Sequence, residues 1–144
     1  MMRFLLIIVI SILSIPASAE TPLIDLKISS HTLSVEVSYT KASRERGLMY
    51  RKSMKKNNGM LFVFPEVGYH NIWMLNTSIP LSVAFLDKNG VILNITNMIP
   101  HTQTIHSPNS PAKYVIETNL GWFETKKIKP GHQVAWLKEI PTAE

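Results

Sequence analysis

The sequence contains no cysteine, and this absence excludes several classes of protein. Without thiols the chain cannot form a disulfide scaffold, a thiolate zinc site or an iron–sulfur cluster, and it has no cysteine nucleophile. Charged residues are also few, at 17% of the chain against 45% hydrophobic residues. That balance argues against long disordered regions and highly charged arms. The composition therefore predicts a compact folded protein.

The N-terminal residues predict export. Arg3 precedes an apolar run over residues 4–15, which is followed by Pro16 and the small residues Ala17-Ser18-Ala19. The run is shorter than the roughly 20 residues of a membrane-spanning helix, and the whole pattern is that of a secretory signal peptide. We expect residues 1–19 to be removed, leaving a periplasmic or secreted protein that starts at Glu20 and does not insert into the membrane. The alternative is that the segment is retained as an anchor.

Positive charge is concentrated in one segment, which we call the basic segment (residues 41–56). It carries seven basic residues and a single acidic one, Glu45; the basic ones are Lys41, Arg44, Arg46, Arg51, Lys52, Lys55 and Lys56. Such a patch attracts phosphate, carboxylate or an anionic surface, although many charged runs are simply solvated. Because no groove-reading motif is present, we expect no nucleic-acid partner.

Alternation of apolar and polar residues with period two predicts an all-β fold. The predicted strands cover residues 23–29, 31–40, 59–65, 70–75, 81–87, 91–99, 113–118 and 133–140. Residues 59–65 do not alternate: they form a continuous apolar run that is too short for a helix and rich in β-forming residues, which predicts a central strand. Asp87 followed by Lys88-Asn89-Gly90 predicts a hairpin between two of these strands. Two short helices are expected, over residues 41–49 after a Thr40 cap and over residues 121–127. The prediction is one domain over residues 20–144, a small antiparallel β-sandwich or barrel of about eight strands.

Three motifs in a fixed order resemble a known family. They are Arg46-Gly47-Leu48-Met49-Tyr50-Arg51, then Gly59-Met60-Leu61-Phe62-Val63-Phe64, then Trp73-Met74-Leu75-Asn76-Thr77 continuing to Ile79-Pro80-Leu81; Glu117, Gly121 and Lys129-Pro130-Gly131 follow. The chain is similar in this respect to the family known as domain of unknown function 192. The resemblance implies a small β-sandwich and supplies candidate positions. It implies no reaction, because the family has no assigned biochemical role.

Two positions depart from the family pattern. Leu75 stands where a lysine is usual, and Ser82 where an aspartate is usual. We hypothesise that these positions face each other as a cross-strand ion pair, replaced here by a neutral pair.

The motifs supply a candidate ligand site. We predict that Arg46 and Arg51 flank a pocket closed by Trp73, Asn76 and Thr77. In that arrangement the arginines bind an anion, the indole forms an apolar wall and the polar side chains orient the ligand. The alternative is purely structural, with Trp73 in the core and Asn76 capping a turn.

Glu117 is the candidate for chemistry. It alternates with Val115, so it is either a surface residue or a buried carboxylate that needs a partner such as Arg46 or Arg51. We favour a non-catalytic binding module for a small anionic ligand or a cell-envelope partner. The alternative is an enzyme that uses Glu117 with an arginine.

Copper binding is a further alternative. Residues 20–144 contain five methionines and five histidines, which are suitable ligands for copper in an export compartment. No pair shows ligand spacing, since His101 and His106 are separated on a loop and the methionines lie in apolar runs. We therefore expect no metal and no cofactor.

Overall fold

The computed structural model describes residues 21, 23–136 and 139–144. This part folds into seven strands and two short helices. In chain order they are β1 (Leu23–Ile28), β2 (His31–Ser38), α1 (Lys41–Arg46), β3 (Asn58–Gly68), β4 (Leu81–Leu86), β5 (Ile92–Met98), β6 (Ala112–Asn119), α2 (Trp122–Thr125) and β7 (Val134–Trp136). The expected signal peptide, residues 1–19, lies outside the described residues. Among those described, no helix has the length and apolar character needed to cross a bilayer.

All seven strands belong to one curled sheet. Their order is β5-β4-β6-β3-β2-β1-β7, and every pair is antiparallel except β2 with β3, which is parallel. Parallel neighbours need a long crossover, and residues 39–57 provide it. The all-β prediction is confirmed. The prediction of an eight-stranded antiparallel sandwich is wrong, because the sheet is mixed and curls into a half-barrel.

One of the eight predicted strands, the fourth in chain order (residues 70–75), lies outside the sheet. Only Ile72 makes a ladder contact, an isolated bridge to His106. Ile72 and Met74 are still buried, but against the face of the sheet rather than within it. The described backbone hydrogen bonds of this segment join Ile72 and Met74 to residues 102–106, which form a loop, and not to a strand of the sheet.

The sheet is covered on both faces, which makes two apolar clusters. Strand β4 shows the division: Val83 and Phe85 belong to one cluster, Ala84 and Leu86 to the other. On β6, Val115 falls in the same cluster as Val83. Because side chains alternate along a strand, Glu117 points to that face as well.

Interactions between residues close in the sequence determine the ends of α1 and the hairpin between β4 and β5. Thr40 and Ser43 form a capping box at the start of α1, and Gly47, with φ of +46°, ends the helix. The predicted helix over residues 41–49 is thus shorter than expected. The predicted hairpin is confirmed, with Gly90 at φ of +78° and Asp87 Oδ1 accepting the Val91 N–H at 3.0 Å.

Candidate functional site

A cavity of about 300 Å³ lies between two parts of the chain. One side is α1 and the loop that follows it, and the other side is the segment 71–77. The cavity lies over the face of the sheet that carries Phe62 and Val115. Its lining consists of Lys41, Arg44, Glu45, Arg46, Gly47, Leu48, Met49, Phe62, Phe64, Asn71, Ile72, Trp73, Thr77 and Glu117. A second cavity, of about 390 Å³, lies beside β5 and α2, but its charged side chains, Glu124, Lys127 and Lys129, are all exposed.

Glu117 is the buried ionisable residue of the first cavity. It lies on β6 opposite Met60 on β3 and Val83 on β4, and it is only 4% exposed. No described residue donates a hydrogen bond to its carboxyl group. Burial raises the pKa of Glu117 to about 8, because the charged form loses its hydration. Near neutral pH the side chain is therefore an uncharged acid with an O–H to donate.

The cations of the cavity differ in how they are used. Lys41 forms a salt bridge of 2.5 Å with Glu45, and Arg44 donates to the main-chain carbonyls of Tyr39 and Val63 at 2.6 and 3.0 Å. Arg46 is exposed, and no acidic group pairs with it among the described residues. Of the three, Arg46 has the most donor capacity left for a ligand.

Aromatic rings form much of the remaining wall. Trp73 is 43% exposed, although tryptophan is usually well covered. Phe64 is stacked against the His70 ring at 3.8 Å, with the Arg44 guanidinium over the phenyl ring. The cavity thus combines apolar walls with a few polar and ionisable groups, which is typical of small-molecule sites.

Thr77 is held in a fixed orientation at the edge of the cavity. Its hydroxyl donates to the carbonyl of Leu75 at 3.0 Å, and its side chain is almost fully buried. The hydroxyl oxygen can therefore still accept a hydrogen bond from a ligand.

The structure brings together four of the six predicted site residues. Arg46, Trp73, Thr77 and Glu117 all line the cavity. They come from α1, the 71–77 segment and β6, so they are far apart in the sequence.

The other two predicted site residues lie elsewhere. Both terminal nitrogens of Arg51 donate to the carboxylate of Glu36 on β2, one of them at 2.7 Å, and this pairing raises the pKa of Arg51. Asn76 donates from Nδ2 to the Tyr50 hydroxyl at 2.9 Å. Arg51 and Asn76 were predicted to border the same pocket as Trp73, but neither residue lines the cavity.

The structural alternatives for this segment are also revised. Trp73 is not a core residue, whereas its neighbour Met74 is fully buried. Asn76 does lie in a turn, at φ of +51°. Its side chain reaches Tyr50 instead of capping its own backbone.

The hypothesis of a cross-strand pair between positions 75 and 82 is wrong. Leu75 lies in a turn, and Ser82 on β4 pairs with Asn97 and Thr118. The Ser82 hydroxyl donates to Asn97 Oδ1 at 2.6 Å and accepts the Gly121 N–H.

Sequence reasoning missed several lining residues. Asn71 gave no signal, because the run around it read as a strand, and Phe62 and Phe64 read as core. Alternation offered one signal for the cavity wall: Trp73 lies between two buried residues, Ile72 and Met74, so its own side chain points away from the core.

Copper ligation gains no support from the geometry. Within the described residues, no three His, Asp or Glu side chains come close enough together to hold a metal ion. Met60, Met74 and Met98 are buried in the apolar cluster, where packing accounts for them.

The fold and the cavity define the class of protein: a half-barrel domain with a mixed polar and apolar cavity on one face of its sheet. The family known as domain of unknown function 192, described as "Uncharacterized ACR", matches residues 24–136, and the chain belongs to it. The expected resemblance is thereby confirmed.

Relatives and solved structures agree with this placement. A UPF0127 protein of Pyrococcus abyssi is 28% identical over 72% of this chain and 86% of its own. A structure from Sinorhizobium meliloti 1021, described provisionally as a transcription regulator, is 34% identical with a TM-score of 0.78 and covers 81% of this chain and 95% of its own. A protein of unknown function from Novosphingobium aromaticivorans is 27% identical with a TM-score of 0.79, over 85% and 91%.

Proposed function

We propose that this chain is an exported binding protein for a small organic anion with an apolar body. Export is supported by the signal-peptide pattern of residues 1–19. The ligand class is supported by the cavity, in which an exposed arginine, aromatic walls and a buried acid surround a volume of about 300 Å³. That volume is at the lower end of the range for small-molecule sites.

The single observation that carries this proposal is the buried carboxyl group of Glu117, which has no hydrogen-bond donor among the described residues. The Glu117 side chain is removed from bulk solvent but faces the cavity, and carboxyl groups with a raised pKa that face a cavity are typical of functional sites. In its neutral form Glu117 does not repel an anion. It can donate its O–H to the ligand while Arg46 supplies a planar fork for a carboxylate or phosphate group.

The rest of the basic segment acts at longer range. Lys52, Lys55 and Lys56 are exposed and do not line the cavity. Their field attracts an anion toward the mouth without contact, so its effect is on the association rate and decreases with added salt.

The test uses small organic acids with apolar bodies, including 3-phenylpropionate and 4-methylpentanoate, in thermal-shift and calorimetric titrations. We expect at least one acid to bind, and Arg46→Gln to weaken it about ten-fold, because a charge-assisted hydrogen bond is lost. Lys56→Gln is the matched control, since it removes a charge from the same segment outside the cavity. Equal losses in the two variants contradict the proposal.

An enzyme remains the second candidate, because an acid with a pKa of about 8 is suited to general acid catalysis near neutral pH. Mass spectrometry of acids recovered after prolonged incubation distinguishes the two. Unchanged masses favour binding alone, whereas conversion that is lost in Glu117→Gln favours catalysis.

A further inference from the structure

We propose that the natural ligand is a zwitterion, an amino-carboxylic acid whose ammonium group binds Glu117 and whose carboxylate binds Arg46. This inference rests on the proposed function and names the ligand class of the same cavity. Two observations support it: Glu117 is a buried residue that lines the cavity from the sheet, and Arg46 is an exposed residue that lines the same cavity from the end of α1.

The position of Glu117 calls for a hydrogen-bond donor at the inner end of the ligand. Its flanking strand neighbours, Met60 and Val83, are both apolar and buried, and neither can donate to a carboxylate. A ligand that places only acceptors there leaves Glu117 in its protonated form. An ammonium group provides up to three donors and an opposite charge, and it therefore stabilises the ionised form.

The position of Arg46 calls for a carboxylate at the outer end. Arg46 is the last residue of α1 and directly precedes Gly47, which ends the helix. It lines the same cavity as Glu117. Arginine matches a carboxylate with two parallel hydrogen bonds. Trp73, Phe62 and Phe64 then enclose the apolar side chain of the ligand, which branches from the carbon that carries the ammonium and the carboxylate.

No other ionisable group of the lining competes for the ammonium or the carboxylate. The Glu45 carboxylate is engaged by Lys41, and Arg44 is held by main-chain carbonyls, including that of Glu144 at 2.7 Å. The 71–77 segment and the strand neighbours of Glu117 contribute no ionisable side chain to the lining.

Binding of an ammonium group should change the protonation of Glu117. The free protein holds this proton at pH 7, since the pKa is about 8, and the ion pair requires the ionised form. Zwitterion binding at pH 7 should therefore release close to one proton to the buffer. Binding of a plain organic acid should release none.

The experiment compares matched pairs on the full mature protein: phenylalanine with 3-phenylpropionate, and leucine with 4-methylpentanoate. We expect the amino acid of at least one pair to bind about ten-fold more tightly or better. Phenethylamine, which keeps the ammonium but lacks the carboxylate, should bind more weakly than phenylalanine. Calorimetry in two buffers of different ionisation enthalpy should report proton release.

Glu117→Gln is the decisive variant, because it keeps the shape and removes the charge. We expect it to abolish the advantage of the amino acid while leaving the binding of the plain acid intact, and urea unfolding will verify that the variant folds. If the plain acids bind as tightly as the amino acids, or if the advantage survives in Glu117→Gln, the zwitterion assignment is overturned and the anion-binding proposal stands. If no compound of either set binds, both proposals fail.

Discussion

Glu117 combines two properties that are rarely found together in a glutamate: it is almost completely buried, and no described residue donates a hydrogen bond to it. The consequence is a dependence of stability on pH. The unfolded chain loses this proton near the ordinary pKa of 4.5, whereas the folded protein keeps it to about pH 8. Between these values unfolding releases a proton, so the free energy of unfolding falls as the pH rises.

We predict that Glu117→Gln removes this part of the pH dependence. The contribution approaches a slope of about 1.4 kcal/mol per pH unit, so the variant should gain stability on the wild type steadily from pH 5 to about pH 8. Urea unfolding at several pH values measures the difference. Glu66→Gln, which changes an exposed glutamate on β3, should keep the wild-type slope. A constant difference between Glu117→Gln and the wild type would show that the carboxyl group is not neutral in the folded state.

Arg51 shows how one residue can look functional in the sequence and be structural in the fold. Its guanidinium donates hydrogen bonds to the Glu36 carboxylate. This ion pair connects the loop after α1 to strand β2. Both side chains are partly exposed, at 38% and 23%, so the pair contributes on the order of 1 kcal/mol or less. The earlier expectation that Arg51 holds an anion has no geometric support, because its donors are already used by a carboxylate.

At the scale of elements, the site depends on how closely β3 approaches β6. Gly59 on β3 lies opposite Thr118, and a Cβ atom at position 59 would come within 2.5 Å of the main-chain oxygen of Glu117. Real Cβ atoms do not approach a backbone oxygen so closely. The strands would have to separate, and the floor of the cavity would move with them.

We predict that Gly59→Ala destabilises the protein by roughly 1–3 kcal/mol, as overpacking in a close-packed interior does. Chemical denaturation will measure the loss. The matched control is Gly68→Ala on the same strand, where the nearest atoms to the new Cβ are 3.7 Å away and the expected change is within about 0.5 kcal/mol. Similar losses in the two variants would mean that strand propensity, and not the contact with β6, determines the effect.

At the scale of the whole molecule, the prediction concerns processing. We expect the exported product to begin at Glu20, because small residues at Ala17 and Ala19 precede it. Intact-mass measurement of the protein recovered from the periplasm or the medium tests this. A product that retains Met1, or that stays with the membranes after a salt wash, would contradict cleavage.

The sequence by itself determined most of the local structure. Alternation and short apolar runs located the seven strands, because the first pattern is typical of a strand buried on one face and the second of a strand buried on both. Thr40 marked the start of α1, and Asp87 with Gly90 marked the hairpin, since these effects depend only on neighbours in the chain. The motifs also identified Arg46, Trp73, Thr77 and Glu117, which now share one cavity.

Only the tertiary structure decided how these pieces meet. Alternation shows that a side chain is buried but not which backbone pairs with it, so it could not show that residues 70–75 cover the sheet instead of joining it. Nor could local sequence show that β2 and β3 run parallel, because strand direction depends on the path of the crossover. The partner of a charged group can likewise be distant in the sequence, so only the tertiary fold shows which groups pair. Arg51 pairs with Glu36 across the fold, while no residue in the described part of the chain donates to Glu117 at the floor of the cavity.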